Sequence, residues 1–153
     1  MKQISWENVD NQPLVQWLQE VEALCEPRSM QLIEGDDNEY AQIADQLVLQ
    51  GVLTPLNPSK RPGSFLARSA QEDVARVESR TFICTEDPSS VGPTNNWEAT
   101  DKMKERLKQL FKGSMSGRDC YIIPFCMGHP DSPLAQIGVQ ITDSAYVVLN
   151  TFH

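Results

Sequence analysis

Tyr121-Ile122-Ile123-Pro124-Phe125-Cys126-Met127 is a nearly continuous apolar run of strand length. A strand with one wet face alternates, whereas a strand covered on both faces does not, so this run reads as part of a buried sheet. Residues 137–142 alternate apolar and polar, and residues 146–149 are apolar again, which predicts that the last third of the chain forms neighbouring strands. On that reading an apolar strand runs straight into Thr151-Phe152-His153 with no closing helix, as in a sheet deprived of its continuation. Exposed final strands of this kind are expected to drive self-association through unpaired edges.

Upstream, the pattern changes to helical period. Residues 13–24 carry Leu14, Trp17, Leu18, Val21 and Leu24 on one side and Gln16, Gln19 and Glu20 on the other, and Pro13 suits a first helical turn. Residues 30–33 predict a short strand. Asp36 and Asp37 follow as caps for a helix bearing Tyr40, Ile43, Ala44, Leu47 and Val48, which Gly51 stops. Residues 52–56 complete a β-α-β beginning, weakened by Pro55. Residues 57–64 read as a loop, 65–68 as a returning strand, and 80–85 as a strand with Phe82 and Cys84 on one face. The connection 86–97 is long and polar, a candidate functional loop. Thr100 can cap a helix whose Met103, Leu107, Leu110 and Phe111 form one stripe, expected to face the core, with Gly113 ending it. The fold class predicted is α/β, a mixed sheet with flanking helices, as a single domain over residues 1–153.

Composition narrows the function. Thirteen Lys and Arg stand against 21 Asp and Glu, a formal charge of −8, which repels phosphate backbones and anionic lipid and argues against a nucleic-acid partner. Residues 1–10 hold no apolar run suited to secretion or to spanning a membrane, so the reading is a soluble, cytoplasmic protein with no membrane partner. Cys25, Cys84, Cys120 and Cys126 form no Cys-x-x-Cys pair and read as reduced core thiols; the even spacing of Cys120 and Cys126 puts both on one face of a strand, suited to shared burial. Only His129 and His153 are present, too few for a His-centred triad or a catalytic zinc site.

Three segments hold residues of chemical interest. Lys112-Gly113-Ser114-Met115-Ser116-Gly117-Arg118 has the glycines of a phosphate loop, but the order helix, loop, strand is the reverse of a phosphate cradle, so a helix stop and tight turn is the reading. Asp143-Ser144 reads as a turn between two strands. Asp73-Val74-Ala75-Arg76-Val77-Glu78-Ser79-Arg80 is either a solvated salt-bridge cluster or an Arg aimed at a carboxylate, and spacing does not decide between them. No catalytic residue and no metal ligand is assigned.

Four blocks taken together carry a resemblance. They are Asp73-Val74-Ala75-Arg76-Val77-Glu78-Ser79, Gly92-Pro93-Thr94-Asn95-Asn96-Trp97, Gly117-Arg118-x-x-Tyr121-x-Ile123-Pro124-Phe125-x-Met127-Gly128, and Ile137-Gly138-Val139-Gln140-Ile141-Thr142-Asp143-Ser144-x-Tyr146-Val147-Val148. In this order and approximate spacing they resemble the GTP-dependent phosphoenolpyruvate carboxykinases. The likeness covers most of the chain, strongest from Ala67 onward and weak before Met30. It implies the N-terminal domain of that fold, packed in the family against a C-terminal nucleotide-binding domain, with the active site between them. The implied reaction converts oxaloacetate and GTP to phosphoenolpyruvate, CO2 and GDP. The resemblance implies that Arg76 binds substrate and that Glu78 contacts a closing lid. It also implies Mn2+ and Mg-GTP as cofactors of the full-length parent, held by later sequence and by no residue of this chain.

The sequence departs from the family pattern at His129-Pro130-Asp131, where Pro and a Gly before Ser-Pro are common, and at Ser114 and Ser116, where Cys and Lys are usual. These loop changes leave Arg76 untouched. They keep open a second reading, a stand-alone divergent relative that acts as a dicarboxylate-binding or regulatory module.

Overall fold

Strand β7 (Asp119–Met127) is the strand on which the architecture is organised, and its side chains point alternately into two cores. The computed structural model describes residues 2–70 and 77–152. β7 lies inside a four-stranded mixed sheet with β1 (Lys2–Gln3), β2 (Ser29–Leu32) and β8 (Gln136–Thr142), in the order β1-β2-β7-β8. β2 pairs parallel to β7, Met30 opposite Cys120 and Leu32 opposite Ile122, while β8 returns antiparallel with Phe125 opposite Gly138.

Alternation sorts the two faces. Cys120 and Ile122 pack with Met30 and with Leu18 of α1 (Gln12–Cys25), and Tyr121 and Ile123 pack on the other side with Ile43, Ala44 and Leu47 of α2 (Asp37–Leu49). Covered above and below, β7 has no wet face over residues 120–123, which accounts for the apolar run there, whereas residues 124–127 are exposed, contrary to the expectation that the whole run is buried. Leu18, Ile43, Ile122 and Val148 are fully buried, and each such side chain contributes roughly 1.5–3 kcal/mol by leaving water. Asn11 caps α1 by accepting from the Leu14 amide at 3.1 Å, and Asp36 caps α2 by accepting from Glu39 at 2.7 Å. Gly51, at φ +74°, turns the chain out of α2.

The structure corrects several expectations. The final apolar segment is a short helix, α4 (Ala145–Leu149), not a strand: the Ser144 hydroxyl accepts from the Val147 amide at 3.3 Å, and Val148 and Leu149 join the α2 core. Packing on α2 outweighs the strand preference of two valines. Asp143-Ser144 therefore links strand to helix, and the outer strands of the four-stranded sheet are β1 and β8 rather than a final strand. Nor does the β-α-β beginning close, because β3 (Leu53–Pro55) pairs antiparallel with β4 (Phe65–Ala67) in a separate two-stranded sheet. Both neighbours of β2 are already taken by β1 and β7.

In α3 (Thr100–Phe111) the apolar stripe does not reach a core: Leu107, Leu110 and Phe111 are 41%, 67% and 50% exposed. Ala99 rather than Thr100 holds the cap position, without a side-chain bond. The helix leans on α1, and Arg106 sits over the Phe82 ring at 5.7 Å from its centroid.

All four thiols are free, but only Cys25 and Cys120 are buried. Cys126 shares the parity of Cys120 yet lies past the residues of β7 that pair with β2, and it is exposed. The strand expected at 80–85 is confined to β5 (Phe82–Cys84), since Arg80 belongs to a 3-10 turn, Glu78–Arg80. The connection 86–97 holds a second 3-10 turn, Pro88–Val91, and contributes to β6 (Asn96–Glu98), which pairs parallel with β5. Among the described residues, no helix is long and apolar enough to cross a membrane.

Candidate functional site

The Glu78–Arg80 turn begins at Val77, whose extended backbone (φ −117°, ψ 111°) precedes it. Its own bonds are two backbone contacts, Arg80 N–H to the Val77 carbonyl at 3.0 Å and Thr81 N–H to the Glu78 carbonyl at 3.1 Å, plus the Thr81 hydroxyl to the Val77 carbonyl at 2.7 Å. One such turn does not hold itself in water. Here Asn96 supports it from β6, donating from Nδ2 to the carbonyls of Glu78 at 2.8 Å and Thr81 at 3.1 Å.

The residues on either side of Asn96 tie down the rest of the connection. Asn95 donates to the Val91 carbonyl at 2.6 Å, and the Trp97 indole N–H donates to both the carbonyl and the hydroxyl of Thr85, at 3.1 and 3.0 Å. Asp87 opens the Pro88–Val91 turn by accepting from the amide and hydroxyl of Ser89, bonds that hold its carboxyl below the usual carboxylate range. Beside the Glu78–Arg80 turn lies a polar recess of about 330 Å³ lined by Glu78, Thr81, Ile83, Thr94, Asn95 and Asn96. The Glu78 side chain is exposed at this recess and has no hydrogen-bond or ion-pair partner among the described residues. Amides and hydroxyls of this kind bind and orient polar groups, and one free carboxylate accepts hydrogen bonds.

Arg76, to which the resemblance gives substrate binding, lies outside the described residues, as does the rest of the first half, 73–76, of the charged segment 73–80 that carries it. Glu78 is placed at the recess just described. Lys112–Arg118 forms the tight connection expected of it, with the Gly113 and Met115 amides donating to the carbonyls of Leu24 and Cys25 at the end of α1. Arg118 continues to an ion pair with Asp143 at 2.7 Å, and Arg28 pairs with Asp119 through two of its nitrogens. Each guanidinium in this second cleft already has its carboxylate, so the cleft fastens β7 to its neighbours. His129 sits exposed in the β7–β8 loop beside Asp131.

Among the described residues, no three His, Cys, Asp or Glu side chains converge to hold a metal ion. In the sequence Asn95 and Asn96 stand out only as part of a polar connection and of a family block, with no role assigned to either. The available signal was an adjacent Asn pair, a residue type whose side chain bonds neighbouring backbone in turns.

The phosphoenolpyruvate carboxykinase N-terminal domain family matches residues 16–152. The chain belongs to this family. The carboxykinase relatives it resembles include the Corynebacterium efficiens protein named phosphoenolpyruvate carboxykinase [GTP], 49% identical over 141 residues, covering 92% of this chain and 23% of the relative. Proteins of the same name from Chlamydia abortus and Chlamydia caviae are 48% and 49% identical, over 93% and 92% of this chain and 24% and 23% of their own. The chain thus spans about a quarter of the length of the curated carboxykinases it matches. The α/β fold expected from sequence is that of this N-terminal domain.

Proposed function

We propose that this chain is the substrate-side N-terminal domain of a cytoplasmic, GTP-dependent phosphoenolpyruvate carboxykinase that works in gluconeogenesis. The observation that carries the reading is near-49% identity, across almost the whole chain, to proteins that bear that name. In the reaction, the carbon–carbon bond to one carboxylate of oxaloacetate breaks, CO2 departs, and the electron pair is left as an enolate. The enolate oxygen then takes the γ-phosphoryl group of GTP, and GDP leaves. Mn2+ and Mg-GTP, when bound through the remainder of the enzyme, supply charge stabilisation for these steps.

The role of this chain is positioning. A planar guanidinium at Arg76 makes two parallel hydrogen bonds to a carboxylate of oxaloacetate and aligns the breaking bond. Glu78, two residues on, contacts a closing segment contributed by the partner domain. The isolated 153-residue chain has no carboxykinase activity and no GTP affinity. The open edge of β8 supports limited self-association, read by light scattering across a concentration series.

The test uses the full-length enzyme. Arg76→Lys keeps the charge but loses the two-bond geometry, and kcat/KM for oxaloacetate falls by the equivalent of roughly 2 kcal/mol or more while GTP binding changes little. Arg80→Lys, in the exposed 3-10 turn, is the control. Equal and negligible losses at both positions return the segment to a solvated charge cluster, and a wild-type enzyme without oxaloacetate- and GTP-dependent turnover overturns the proposal.

A further inference from the structure

We propose that Asn96 is a positioning residue that acts through Glu78: its side-chain amide clamps the Glu78–Arg80 turn from β6 and so sets where the Glu78 carboxylate stands. The inference rests on the reading of Glu78 as part of the substrate side.

An Asn amide has two N–H donors, and at Asn96 the Nδ2 group meets two carbonyls, those of Glu78 and Thr81. These carbonyls bracket the turn, so the two bonds fix its orientation as well as its distance from β6. The turn has little else to hold it: it is three residues long, and none of them is buried. The clamp reaches 18 positions along the chain, and its own base is anchored. Asn96 lies opposite Phe82 in the β5–β6 pair, Asn95 is bonded to Val91, and Trp97 is bonded to Thr85.

The Glu78 carboxylate itself is exposed and without a partner among the described residues. Among the described residues no contact holds its side chain, whereas the backbone beneath it is held. A carboxylate with no ion-pair partner among the described residues, at a polar recess and on a backbone clamped from a neighbouring strand, is arranged for something that arrives from outside the domain. The bonds are exposed to water and add little to global stability, so their loss registers in the aim of Glu78 rather than in folding.

A double-mutant cycle in the full-length enzyme tests this. Asn96→Asp is isosteric but has no N–H to donate, and Glu78→Gln removes the charge at the end of the same path. Each single change is expected to lower kcat/KM for oxaloacetate about tenfold, with KM for GTP unchanged, and the double variant is also expected to lose about tenfold rather than a hundredfold. A full hundredfold loss, wild-type kinetics in either single variant, or a parallel loss for both substrates overturns the proposal. In the 153-residue chain, amide hydrogen exchange reads the clamp without reference to activity. Asn96→Asp is expected to speed exchange at Arg80 and Thr81 at least tenfold and leave Ile43 and Ile122 unchanged. Equal rates at Arg80 and Thr81 overturn the clamp even in an active enzyme, whereas an inactive wild-type enzyme with the expected exchange pattern overturns only the functional reading of Glu78.

Discussion

The ring of Phe125 lies over Gly138 across the β7–β8 pair, with Phe125 Cζ 2.5 Å from the place a β-carbon on Gly138 would take. Gly138 has no left-handed backbone requirement, so its small size is what the site uses. Gly138→Ala is expected to destabilise the chain by about 1 kcal/mol in urea unfolding, the low end of the overpacking range, because Phe125 is half-exposed and can swing aside. Adding Phe125→Leu should recover most of the loss. No recovery would place the cost in the backbone rather than in the ring.

Acid should weaken the link between β7 and the segment before β2. Arg28, through its hydrogen bonds, and to a smaller extent the Ser29 hydroxyl at 2.7 Å hold the Asp119 carboxyl below its ordinary value. Because the folded pKa is the lower one, this contribution is complete above the unfolded value near 3.9 and is lost as pH falls through the folded value. Wild type should therefore exceed Asp119→Asn in urea midpoint at pH 7, and the gap should close below about pH 4. The gap is expected to be small, since Arg28 is well exposed, and to shrink in high salt. A gap that stays constant to pH 2 would contradict the assignment.

Thiol labelling should divide the cysteines in two. Cys84 and Cys126 are exposed and should react with a maleimide in the native chain, whereas Cys25 and Cys120 should stay protected until the chain unfolds. Burial pushes the Cys120 thiol up to about 11, which further suppresses its thiolate at neutral pH. Mass spectrometry of native and urea-unfolded samples reads the pattern directly. Early labelling of Cys120 would mean that the α1 side of the sheet opens.

Two apolar helix stripes of similar appearance should behave differently. Ile43→Ala in α2 empties a fully buried site and is expected to cost about 2–5 kcal/mol. Leu110→Ala in α3 removes a side chain that is mostly in water, with an expected change within about 0.5 kcal/mol. Urea midpoints for the pair check this, and a large cost at Leu110 would place α3 in a tighter contact than the structure gives it.

That contrast also explains what was legible in the sequence. Period and caps located α1, α2, β2 and β7 closely, because each has a buried face whose apolar spacing is set by its own geometry. Period alone does not say whether a neighbour exists to receive a stripe, and so α3 was expected in the core. Residues 146–149 failed for a related reason: so short a run cannot express a period, and Ser144 together with contacts to α2 made it a helix. The site was legible only as family blocks. The hydrogen bonds of Asn96 to Glu78 and Thr81 join positions 18 and 15 apart, a relation that exists only after β5 and β6 pair.

The parallel pairing of β2 with β7 bears on how the chain is made. Arg28 and Asp119, partners at one end of that pair, are 91 positions apart. A ribosome releases α1, β2 and α2 long before β7, so the nascent chain must carry Met30, Leu18 and Ile43 without the strand that buries them. Long-range pairing of this kind folds slowly. Newly made chains are therefore expected to bind holdase chaperones until β7 emerges, and a ribosome stalled before Asp119 should display a protease-sensitive product, while one stalled well past Leu149 should display a resistant one.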